Sequence, residues 1–205
     1  MAQVQPPRVA EPPAAEGRWF GVTHPRLRGT RTLFGPQDAG AQDLAEQLTA
    51  GRKVEPLPAA LTVEVLIEGH PLAWGRTDRS VIVVNEAVAA VLRERAGDDV
   101  QLIAATLDGY DDPQHILVIT RLVDCLDVQA SGASTHLEVY GADDLLLPPD
   151  DIATYDKLVI VPDKVPEGVQ VFRIARLNMH VVVSRDLACA LAAAGITGVG
   201  FAPVG

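Results

Sequence analysis

From His180 to Val204 the apolar and polar positions spell one complete strand, cap, helix, turn and strand. Val181, Val182 and Val183 are β-branched and suit a buried strand, and Ser184 can turn its hydroxyl onto the free amides that open a helix. Leu187 and Leu191 then mark one helical face beside Ala190 and Ala194. Asp186 suits the positive end of the helix dipole, and Gly195 suits the left-handed position that ends a helix. The same order occurs earlier in the chain. Setting Val84 against Val183, a shift of 99 positions, lays SVIVVNEAVAAVLRERAGDDVQLIA over the later run without a gap. Asn85 meets Ser184, Val88 meets Leu187, Leu92 meets Leu191, Val100 meets Val199 and Leu102 meets Phe201. Either the unit is duplicated, or two units share the punctuation that any strand, helix and strand demand.

Outside these units the periodicity predicts a helix from Ala39 to Ala50, with Leu44 and Leu48 on one face and Gly51 as its stop. A half-buried strand is predicted over Leu61 to Glu68. Further strands are expected at Ile116 to Val123, Thr135 to Tyr140, Leu158 to Val161 and Val169 to Ile174, with Pro162 and Gly168 as turn signals. Strands outnumber helices and helices do not alternate regularly with them. The fold class is therefore α+β: a mixed, largely antiparallel sheet with two or three packed helices. Residues 1–17, rich in Pro, Ala and Gln, are expected to be a disordered tail, and 18–205 a single domain.

Composition narrows the core. Hydrophobic residues make up 48% but aromatics only 4%, so Val, Leu, Ile and Ala must fill it. No run approaches the ~20 apolar residues that span a bilayer, and the N-terminus lacks the pattern of a signal peptide. A cytoplasmic protein is expected. The two cysteines, Cys125 and Cys189, sit in apolar strand and helix surroundings and read as inert core thiols. No ligand spacing suggests a metal, and no glycine-rich loop suggests a nucleotide or other cofactor.

Charge is unevenly placed. Between Asp108 and Glu167 stand 13 acidic residues against Arg121, Lys157 and Lys164, so this segment alone equals the net charge of −10. Conversely, Arg18, Arg26, Arg28 and Arg31 lie in an acid-free stretch from Gly17 to Gln37. An acidic region repels phosphate, which argues against direct nucleic-acid binding and for a basic protein partner, unless the charge is simply solvated surface.

Several features together resemble a family of bacterial immunity proteins of polymorphic toxin systems, abundant in myxobacteria and other proteobacteria. They are the run Val123-Asp-Cys-Leu-Asp127 with Ser131 following, the Phe172-Arg173 pair, the Val-Ser-Arg-Asp-Leu cap and helix start, and the closing Gly195-Ile-Thr-Gly198-Val-Gly-Phe201. The resemblance covers roughly Leu57 to Val204. It implies a cytoplasmic binder that neutralises a cognate toxin by stoichiometric occlusion, with no chemistry of its own and no catalytic residues to carry over.

Candidate contact residues come from charge and loop placement. In DGYDDPQ, Asp108, Asp111 and Asp112 surround Tyr110, and a second segment combines Tyr140 with Asp143 and Asp144. Tyrosine among acids suits the capture of a basic toxin surface, and equally suits a polar turn. An alternative is a small enzyme whose site converges on Asp124, Asp127 and Arg173; a toxin-independent scaffold is another. A nucleophile triad of Ser184, His180 and Asp186 lacks the Gly-x-Ser-x-Gly elbow, and capping accounts for Ser184.

Overall fold

The computed structural model describes residues 7–14, 16–25, 29–36, 41–55, 61–141 and 148–205. In chain order these form β1 (Trp19–Thr23), β2 (Thr32–Phe34), α1 (Ala41–Thr49), β3 (Leu61–Ile67), β4 (Trp74–Arg76), β5 (Ile82–Asn85) and α2 (Glu86–Arg95). After a tight helical turn at Gly97–Asp99 come β6 (Val100–Leu107), β7 (Tyr110–Ile119), β8 (Leu122–Val123), α3 (Val128–Ser131), β9 (Ser134–Thr135), α4 (His136–Tyr140) and β10 (Ile152–Thr154). Another such turn, Pro162–Lys164, precedes β11 (Val171–Ile174), β12 (Leu177–Ser184), α5 (Arg185–Ala193) and β13 (Gly200–Pro203). One sheet runs β2-β3-β6-β7-β5-β4, a second β13-β1-β12-β11-β8, and β9 pairs with β10. Only β3 with β6 and β8 with β11 pair in parallel among the described strands, so the fold is α+β with largely antiparallel sheets.

The two segments that match at a shift of 99 positions fold as the same device. Each is a strand, helix and strand whose strands do not pair with each other, because a third strand lies antiparallel between them: β7 between β5 and β6, β1 between β12 and β13. The registers coincide on both flanks. His115 faces Val84 and Ala104, and Phe20 faces Val183 and Pro203; Leu117 faces Ile82 and Leu102, while Val22 faces Phe201. The helices open alike, since the Asn85 carboxamide accepts the Val88 amide at 3.1 Å and the Ser184 hydroxyl accepts the Leu187 amide at 3.1 Å. At the first helical position the geometry is kept and the chemistry changes. Glu86 reaches His115 at 2.6 Å, whereas the Arg185 guanidinium lies 5.2 Å from the Phe20 ring.

Side-chain alternation splits the core into three parts. Ile82, Val84, Leu117 and Ile119 of one sheet and Phe20, Val171, Val181 and Val183 of the other join Val88 and Leu92 of α2 and Leu187 and Leu191 of α5 in a shared core. On its other face the six-stranded sheet buries Val83, Ile103, Ile116 and Val118 with Leu48 of α1. The five-stranded sheet buries Phe172, Ile174 and Val182 with Trp19, Cys125 and Ile160. At the N-terminus, Val9 bridges to Thr197, and Ala10, whose amide donates to the Ile196 carbonyl at 2.7 Å, enters the shared core.

Two local expectations are corrected. Thr135 to Tyr140 alternates like a strand but is β9 followed by α4. The reason is a capping box: the Glu138 amide donates to the Thr135 hydroxyl at 3.3 Å, and the Thr135 amide donates to the Glu138 carboxylate at 2.7 Å. Leu158 to Val161 contributes only an isolated bridge between Ile160 and Leu126. The three helices of nine or ten residues, α1, α2 and α5, supply the helical packing; α3 and α4 are short turns.

The caps give a direct stability test. Asn85→Ala and Ser184→Ala should each lower unfolding free energy by about 1 kcal/mol, read as a lower urea midpoint. Ser184→Ala should cost more, because its hydroxyl also donates to the Gln170 side-chain oxygen at 2.5 Å. Loss of toxin binding without loss of stability would instead mark Ser184 as a contact residue.

Candidate functional site

The acidic segment at Asp108 is a hairpin tip. Gly109 adopts a φ of +81°, which closes β6 onto β7 within two residues, so Tyr110 to Gln114 belong to a strand and not to a loop. The Asp108 amide donates to the Val63 carbonyl at 2.9 Å, and Asp111 and Asp112 are exposed. Tyr110 is pinned: its hydroxyl donates to the Glu68 carboxylate, which pushes the phenol pKa up, and the Arg31 guanidinium lies 3.6 Å from the centre of its ring. Its ring packs against the outer core of the six-stranded sheet. Tyr140 stands elsewhere, on α4 beside the β9-β10 pair, 54% exposed and stacked on His136 at 5.6 Å. Asp143 and Asp144 lie outside the described residues. The β9-β10 pair is anchored by Ile152 in the core on the five-stranded sheet's outer face, whereas Tyr110 packs on the core of the six-stranded sheet, so the two tyrosines stand beside different parts of the core.

The groups of the alternative enzyme reading do not converge. Asp124 is exposed and 3.5 Å from Arg176, and Asp127 caps α3 by accepting the Ala130 amide at 2.9 Å. Arg173 projects on the other face of β11 from Phe172 and Ile174, is 1% exposed and donates to the Asn178 carbonyl at 2.6 Å. Burial, and secondarily Arg76, lower its pKa to about 10. His180 meets the Tyr155 hydroxyl at 3.0 Å, while Ser184 is engaged as a cap and by Gln170. Burial pushes the Cys125 thiol up to about 11, away from the reactive thiolate, and Cys125 and Cys189 are both free. Among the described residues no three His, Cys, Asp or Glu side chains gather as a metal site, and no helix is long and apolar enough to cross a membrane.

A cleft of about 570 Å³ opens where the end of β1 and the residues before β2 meet β4, lined by His24, Thr30, Arg31, Leu72, Trp74, Gly75, Arg76 and Gly198. None of the described residues lining it is acidic. His24 is mostly neutral at ordinary pH, since burial, then Arg76, lower its pKa to about 4 against the opposing pull of a hydrogen bond to the Gly198 backbone. Gly198 has a φ of +96°, and a Cβ there would stand 2.2 Å from the Trp74 carbonyl oxygen, so only glycine lets this turn close onto β4. Sequence reasoning missed the cleft; its one visible signal was the acid-free, arginine-rich stretch that contains Arg31.

Comparison with known proteins adds a family. No curated protein matches the chain. Residues 98–205, which begin just before β6 and include the whole second strand-helix-strand unit, match the model of the immunity protein family Imm11. That is more than half of the chain, which therefore belongs to the Imm11 immunity protein family.

Proposed function

We propose that this protein binds a cognate antibacterial toxin in the cytoplasm and neutralises it by stoichiometric occlusion of the toxin's active site or substrate channel, without catalysis. The observation that carries the reading is the family match over residues 98–205. It is supported by the dispersal of the apparent catalytic groups into caps, ion pairs and core positions. The partner is a protein with a basic surface rather than nucleic acid, which the concentration of acids after Asp108 would repel. The proposed contact residues are Asp108, Tyr110, Asp111 and Asp112, together with Tyr140, Asp143 and Asp144.

Charge reversal tests this. Replacing Asp108, Asp111 and Asp112 together by lysine should slow toxin association and weaken protection of a toxin-producing cell, while leaving the melting temperature nearly unchanged, because exposed charges contribute little to stability. The parent's association rate should also fall as salt rises. Unaltered protection and association rate in the triple variant would remove the hairpin from the binding surface. Turnover of any substrate that is abolished by substituting Asp124, Asp127 or Ser184 would overturn the non-catalytic reading.

A further inference from the structure

The cleft beside the hairpin has the opposite charge to the hairpin. We propose that the cleft formed by His24, Arg31, Trp74 and Arg76 receives a carboxylate side chain of the bound toxin, with the acidic hairpin holding the basic residues that flank it. This deepens the immunity reading and rests on it.

Two donors point to an acceptor-bearing occupant. The Nε of Arg31 and the indole N–H of Trp74 are buried and have no hydrogen-bond partner among the described residues, and both residues border this cleft. Buried donors are ordinarily satisfied, and two unsatisfied ones bordering one concavity favour an occupant that brings an oxygen. Arg31 and Arg76 supply full positive charge at the same place.

The cleft and the hairpin form one surface. Arg31 lines the cleft and also covers the Tyr110 ring. A small pocket of about 50 Å³ is lined by Arg31, Leu72, Gly75 and Arg76 together with Gln114 of the hairpin strand. Beyond it an open groove shares Leu72 and Gln114 and adds Asp112 and Glu86. Positive and negative ground thus meet at Arg31 and Leu72. A polyanion such as nucleic acid or a polyphosphate would gain at the arginines and be repelled by Asp111, Asp112 and Glu86. A single carboxylate set in a basic protein surface complements both halves, and such paired patterns fix register as well as affinity. Apart from Gly198, the lining residues lie outside the family-matched region, so this part of the recognition belongs to this chain's own N-terminal portion.

The test uses the full chain and short peptides. Because the chain has two tryptophans, a Trp19→Phe variant assigns the Trp74 indole N–H resonance. Titration with the capped tripeptide Lys-Asp-Lys should shift that resonance saturably. Lys-Asn-Lys, which has the same shape without the charge, should bind at least about tenfold more weakly, as should inorganic phosphate. Arg76→Ala, at an exposed position, should keep the melting temperature and weaken Lys-Asp-Lys binding by at least about tenfold, with Arg76→Lys recovering part of it. No saturable shift with Lys-Asp-Lys, equal binding of Lys-Asn-Lys, tighter binding of phosphate, or indifference to Arg76→Ala would each overturn the proposal. The titration involves no toxin, so those outcomes leave the immunity reading standing. A chain that binds Lys-Asp-Lys but gives no protection overturns the immunity reading instead.

Discussion

Leu92→Ala and Leu191→Ala should each destabilise the protein by about 3 kcal/mol and shift one common unfolding transition. The two leucines occupy equivalent positions in α2 and α5, both are fully buried, and both face the core that the two sheets share. Each substitution removes three buried carbons and leaves a cavity between layers that have little freedom to collapse. Similar losses are expected because the two sites have the same depth and the same helix-on-sheet setting. The single transition follows from the composition of this core, to which both strand-helix-strand units contribute side chains. Urea unfolding followed by tryptophan fluorescence and by circular dichroism checks both points. Two separable transitions, with each substitution moving only one, would show that the units unfold independently and that the shared core does not couple them.

The equivalence of these leucines was readable from the sequence because each determinant is local. Asn85 and Ser184 are small polar residues at the join of a β-branched run and an apolar helical stripe, and both cap as their chemistry requires. What local pattern could not reveal is the strand inserted in each unit. β7 arrives by a hairpin from β6, but β1 comes from near the N-terminus to lie between β12 and β13, and no periodicity in Trp19–Thr23 encodes so distant a partner. Thr135 to Tyr140 shows a different failure. Thr135, Leu137 and Val139 alternate as a strand would, yet Leu137 and Val139 remain exposed, so no burial rewarded the extended form and the capping box decided the outcome.

The candidate site divides in the same way. Clustered acids single out the Asp108 segment in the sequence, but its run of polar residues reads as a loop, whereas the tight turn at Gly109 makes Tyr110 to Gln114 a strand. The ties of Tyr110 to Glu68 and Arg31 cross from one element to another and leave no sequence trace. The cleft is less legible still, because His24, Arg31, Trp74, Arg76 and Gly198 come from separate segments that only the folded sheets bring together.

Asp99→Ala should cost about 3 kcal/mol, although Asp99 sits in a short turn. Its carboxylate is buried and joins the two units. One oxygen accepts from the Gln170 amide at 2.6 Å, and the other accepts from Nε of Arg121 at 2.9 Å. The Gln170 carbonyl in turn accepts the Ser184 amide at 2.8 Å, and its side-chain oxygen accepts the Ser184 hydroxyl that caps α5. Removing the carboxylate strands the Gln170 amide without an acceptor and loosens the residue that orients the cap. Arg121 matters far less, since its side chain is 49% exposed and can return to water, so Arg121→Ala should cost at most about 1 kcal/mol. Asp99→Asn, which keeps an acceptor oxygen, should fall between the two. Asp99→Ala should also be non-additive with Ser184→Ala, because both act on Gln170. Chemical denaturation of the four variants and the double variant decides the matter. Equal losses for Arg121→Ala and Asp99→Ala would mean that the acid works through its ion pair and not by holding Gln170 and the cap of α5 in place.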